Sequence, residues 1–146
     1  MAFEADLYTW LNTLAGLTAL TADRIYPGLL PQNADLPAVV YSWIDKDHDV
    51  VDCDTADPNL SSGQLRFAIH AALVDENGIS VDAYAAAHAI ATQLRLALNG
   101  TKRAVLAGIS ALSVTELHTR DSGYDDFTDT YVVEVTAGFS FTEASA

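Results

Sequence analysis

The side chains best equipped for chemistry are gathered in one stretch. Asp45, Asp47, Asp49, Asp52, Asp54 and Asp57 place six of the chain's 20 acids between residues 45 and 57. A calcium loop opens with carboxylates at alternate positions, and Asp45-x-Asp47-x-Asp49 has that spacing. The template then requires a glycine and, at its twelfth position, a bidentate Glu. This chain has Val50 and Ala56 there. The stretch therefore reads as a solvated acidic loop, with a looser divalent-ion site as the lesser alternative. His48 and Cys53 share the segment, but zinc takes three or four ligands at set spacings, and Cys53 is the one cysteine.

The remaining titratable groups are dispersed. His70 falls on the polar side of an alternating segment, His88 on a helical stripe and His118 near a strand end, none beside a nucleophile at a motif spacing. Gly-x-Ser-x-Gly, a phosphate-cradling glycine loop and His-Glu-x-x-His are all lacking. The carboxylate pairs Asp75-Glu76 and Asp125-Asp126 sit in turn-like surroundings, where water keeps such groups ordinary. No catalytic residue, metal or cofactor is expected, and the chain reads as a non-enzyme. Seven Lys and Arg against 20 acids give a net charge of −13, a field that repels phosphate backbones and anionic membranes. The opening MAFEADLYTW carries acids where a signal peptide has a positive region, and the apolar runs are shorter than a bilayer crossing. A soluble acidic domain is the expectation.

The periodicity of apolar residues suggests what holds these groups. Phe3, Leu7, Trp10, Leu11 and Leu14 recur at helical steps, so residues 3–15 read as a helix stopped by Gly16. Pro27, Pro31 and Pro37 mark a surface excursion that ends in a strand over 38–44. After the acidic loop 45–62, Leu65, Phe67, Ile69, Ala71 and Leu73 alternate with other residues as a half-buried strand does. Ser80 resembles the N-cap of a helix running to about Leu98, with Val81, Tyr84, His88, Ala91, Leu94 and Leu98 in one stripe. Its other sides carry Ala83, Ala85, Ala86, Ala87, Ala89 and Ile90, so a second cover is expected, and a sibling subunit would supply it. Residues 109–119 form a further strand and 121–127 a loop. The last strand, with Tyr131, Val133, Val135, Ala137, Phe139 and Phe141 alternating, would span ~40 Å at ~3.4 Å per residue and outrun its sheet.

This order predicts one α+β domain over residues 1–146: an antiparallel or mixed β-sheet with two helices packed on one face. Ala83, Ala86, Ala87, Ile90, Tyr131, Val133, Val135 and Phe139 are the candidates for a subunit interface. Long polar loops on a rigid sheet are where binding usually sits. That makes Asp45, Asp47, Asp49, Asp52 and Asp54, with Tyr124, Asp125, Asp126 and Phe127, the candidates for other contacts.

The succession of Arg24-Ile25-Tyr26-Pro27, Leu36-Pro37-Ala38-Val39-Val40-Tyr41, Gly63-Gln64-Leu65-Arg66-Phe67-Ala68-Ile69, the Tyr84 to Gly100 helix and the closing strand resembles the tail-completion, or tail-terminator, proteins of long-tailed bacteriophages and gene-transfer particles. The resemblance implies a structural virion protein, made in the host cytoplasm. It would form a homohexameric ring on the head-proximal end of the tail tube. Its partners would be itself, the tail tube protein and a head-tail connector or neck protein, with DNA passing through the hole unbound and no membrane involved. The loop candidates would then touch tube or neck. The alternatives are a neck or head-completion protein of the same virion and, from the residues alone, a small acidic ligand- or divalent-ion-binding α+β domain.

Overall fold

Apolar residues three and four apart make the chain begin as helix. The computed structural model describes residues 3–22, 24–32, 35–48, 59–74, 82–99, 104–106, 109–126 and 129–143. Helix α1 (Phe3–Leu11) buries Leu7 and Leu11, and α2 (Ala15–Thr21) buries Leu17 and Thr21. The helix expected over 3–15 is thus two helices, and Gly16 lies inside the second. The break has a local cause. Asn12 Nδ2 donates to Tyr8 O at 2.9 Å and Thr13 Oγ1 to Trp10 O at 2.6 Å, so side chains take the carbonyls of α1's last turn. Buried Thr21 donates its hydroxyl to Leu17 O at 3.1 Å and leaves no polar cost.

Six strands follow in the sheet order β1-β2-β3-β6-β5-β4. They are β1 (Ile25–Pro27), β2 (Ala38–His48), β3 (Asn59–Ala72), β4 (Ala104–Leu106), β5 (Ile109–Asp125) and β6 (Thr130–Glu143). β1 runs parallel to β2 and every other pairing is antiparallel. The excursion around Pro27 therefore contains a strand, placed at the sheet edge where proline is tolerated, with Ile25 buried. Gly28, at φ 82°, turns the chain out of β1 and donates its N–H to Tyr41 O at 2.8 Å.

The acidic loop is shorter than expected. β2 continues through Asp45 to His48 and β3 begins at Asn59, with Asp47 opposite Ser62 and a bulge between Trp43 and Asp45. Asp45 Oδ1 accepts the Gln64 N–H at 3.2 Å beside that bulge. Likewise 121–125 is strand, not loop, because β5 stays paired with β6 down to Asp125–Thr130. The last strand does not outrun its sheet. β6 lies between β3 and β5, which are of comparable length, and pairs with β3 from Ala72–Thr130 to Asn59–Glu143. No edge is left on β6 for an outside strand.

Alternation places one set of side chains against the helices. Val39 and Tyr41 of β2, Leu65, Phe67, Ile69 and Ala71 of β3, and Val133, Val135, Ala137 and Phe139 of β6 form one core with Leu7, Leu11 and Leu17. Helix α3 (Ala83–Asn99) closes it with Ala83, Ala87, Ile90, Ala91, Leu94 and Leu98. α1 touches both β1 and β4, at opposite edges, so the sheet curls around the helical layer. The result is the expected α+β fold, a mixed sheet with its helices on one face.

The buried stripe of α3 is rotated from the one anticipated. Ala91, Leu94 and Leu98 belong to both stripes, but in the first turns small Ala83 and Ala87 face the sheet while Tyr84 and His88 turn aside. Alanine lets the helix lie close to β6 without displacing its larger side chains. The helix also starts later. Asp82 Oδ1 accepts the Ala85 N–H at 3.0 Å and is the cap; Ser80 lies outside the described residues. Asp82→Ala should therefore cost about 1 kcal/mol, read as a lower midpoint in urea unfolding at an unchanged slope.

Candidate assembly surfaces

Among the described residues, three regions outside the helix–sheet core bring polar side chains together. The first is the sheet face turned away from the helices. Cross-strand register sets Arg66 of β3 and His118 of β5 on either side of Thr136, and Arg120 beside Glu134. With Ile44 and Gln64 they line an open groove of about 630 Å³. Arg120 Nη2 is 3.8 Å from Glu134 Oε2, a long contact for an arginine side chain that is 75% exposed. Among the described residues Arg66 has no ion pair.

Further along the same face, His70 is buried, 7% exposed, with Nδ1 2.9 Å from Thr130 Oγ1. Burial lowers its pKa from the ordinary 6.5, against a weaker upward pull from Asp125 and Glu134. The folded protein thus binds this proton only at a pH where the unfolded chain already holds it. Stability should be complete above ~6.5 and fall as pH drops through the window below it. His70→Gln should flatten that fall, as compared in thermal melts at pH 7.5 and 5.5. An unchanged slope in the variant would assign the effect to other groups.

The second region is where α3 meets the hairpin of β5 and β6. His88 Nε2 lies 2.7 Å from Asp121 Oδ1, to which the Tyr131 hydroxyl also donates at 3.0 Å. The Tyr84 ring stacks 4.3 Å from His88 and 5.8 Å from Tyr131. The hydrogen bond from His88 chiefly, helped by Tyr131, holds the Asp121 carboxyl below its usual range. Desolvation first, then the hydrogen bond to Asp121, raises the Tyr131 phenol. This group ties the first turns of α3 to two strands. Sequence spacing gave no sign of it, because His88 and Asp121 meet only through the sheet.

The third region is the hairpin tip. Tyr124 is exposed and donates its hydroxyl to Asp129 Oδ1 at 2.6 Å, which raises its pKa, since ionisation would set two anions together. Gly123 at φ 82° and Asp129 at φ 53° shape the tip, with half-buried Asp125 and exposed Asp126 on it. Among the described residues no three His, Cys, Asp or Glu side chains converge to hold a metal ion. No described helix is long and apolar enough to cross a membrane.

The comparison that bears on these surfaces is a family model for tail completion protein gp17, which matches residues 5–138. The chain belongs to the tail completion protein gp17 family. It is a tail structural protein, in agreement with the resemblance carried by its sequence. Its fold matches a chain in the virion of a native gene transfer agent particle, with a TM-score of 0.60 at 20% identity, over 97% of this chain and 95% of that one. No curated protein matches the sequence.

As a family member the protein must offer contact surfaces, and several candidates are unavailable for that. Ala83, Ala87, Ile90, Val133, Val135 and Phe139 all lie in the chain's own core. Within one chain the sheet covers one side of α3, and the other side is exposed. Ala86 is exposed and Tyr131 half-buried. Beside Ala86, the outer side of α3 exposes Leu96 (56%) with Ala85 and Ala89, while Tyr84 (55%) lies on the flank toward Tyr131. Asp45, Tyr124 and Asp126 are exposed. Asp47 is in β2, and Asp49, Asp52, Asp54 and Phe127 lie outside the described residues.

Proposed function

We propose that six copies of this chain form a ring on the head-proximal end of a tail tube, where they stop tube growth and present the surface that receives the head. The family match over residues 5–138 carries this reading. A terminating ring needs one face that fits a tube subunit and another that does not, and head-to-tail contacts that close. A rigid sheet with a polar groove on one face and an apolar helix surface on the other supplies dissimilar faces. The exposed outer side of α3, with Ala85, Ala86, Ala89 and Leu96, serves ring closure, and the Tyr124 end of the β5–β6 hairpin serves tube or neck. With a net charge of −13, the ring lets DNA pass without holding it. The role needs no catalysis, and the protein acts within the virion.

Mixing purified protein with tail tubes and viewing them by negative stain tests the proposal. A six-fold collar at one end of each tube is the expected image. Decoration along the whole tube, or none, would overturn it.

A further inference from the structure

The open sheet face collects cations that the sequence scatters. Arg66, Arg120 and His118 come from two strands that β6 separates, and register alone brings them to one groove. The chain has only seven Lys and Arg in all, against 20 acids, so two arginines in one groove form a marked local contrast. Glu134 offsets one of them, but it is mostly covered, while Arg120 extends into water. We propose that this groove takes the acidic stretch 45–57 of a second copy of the chain. The inference rests on the ring reading above.

Charge and spacing favour this occupant. Residues 45–57 carry six Asp against one Lys46, the densest negative charge in the sequence. Neighbouring strands are ~4.8 Å apart, so Arg66 and His118 stand ~10 Å apart across β6, with Arg120 ~7 Å further along β5. Acids at residues 45, 47 and 49 and again at 52 and 54 can meet such a row. Ile44, 47% exposed, gives the groove an apolar rim to exclude water from these pairs. Each copy would offer one groove and one acidic stretch. That is a heterologous contact, the kind that closes a ring.

Opposite charge swaps test this on the full-length chain. R66E/R120E spoils the groove, and D47K/D49K/D52K spoils the stretch; circular dichroism melts check that both fold. Rings are counted by native mass spectrometry and on tubes by negative stain. Each variant alone should yield ~10-fold fewer rings or worse, the loss expected for close interfacial charge pairs, and the parent's rings should weaken with salt. An equimolar mixture of the two variants should recover rings, since every interface then joins opposite charges. Should both variants assemble as the parent does, the inference falls and the ring stands. If only the two swaps combined in one chain recover assembly, the contact is within a copy and the inference also falls. Binding of a DNA duplex that depends on Arg66, by fluorescence anisotropy, would overturn it in favour of nucleic acid. A parent that forms no ring would remove both readings.

Discussion

Phe67→Ala is expected to destabilise the protein by about 3–5 kcal/mol, a large part of the ~5–15 kcal/mol that holds a domain folded. Phe67 is among the largest fully buried side chains. It sits in β3 with Tyr41 opposite on β2 and Val135 opposite on β6, and its ring centre is 6.4 Å from that of Tyr41. β3 and β6 are in the middle of the sheet, so neither can shift to fill the void. Urea unfolding followed by tryptophan fluorescence and circular dichroism should show both transitions moving together. A loss below ~1 kcal/mol would mean that the site is not packed as described.

Substitutions at two adjacent alanines should have opposite consequences. Ala87 is fully buried between α3 and the sheet, whereas Ala86 faces water. Ala87→Leu forces extra methylenes into a filled core and should cost about 1–3 kcal/mol. Ala86→Leu should leave the melting temperature within about 2 °C, because surface changes usually stay within ~0.5 kcal/mol. If the outer strip of α3 closes the ring, Ala86→Leu should nonetheless impair assembly on tubes. Thermal melts and collar counts on the same two proteins separate core from contact. Equal melting temperatures for the two variants would contradict the orientation of α3.

The contrast between Ala86 and Ala87 also marks how far sequence alone could see. The alternating runs over Leu65–Leu73 and Tyr131–Phe141 announced two central strands, because burial on one face leaves a period of two, and the β-branched and aromatic residues over 38–44 announced β2. β1 was hidden, since three residues ending in proline carry no period. α3 was visible as a helix but not its angle of rotation, because alanine satisfies a core and a surface alike. The groove was invisible. Arg66, His118 and Arg120 are up to 54 positions apart, and only the register of β3 and β5 on β6 brings them together. The pairing of His88 with Asp121 was hidden for the same reason. Family membership was legible because it lies in the order of the elements, which the sheet topology preserves.

The most direct measurement of the central claim is the length and head attachment of tails made with and without this protein. Particles lacking it should yield tails of scattered, excessive length beside separate DNA-filled heads, and supplying the chain should restore uniform tails joined to heads. Tails of normal length that join heads in its absence would contradict the account.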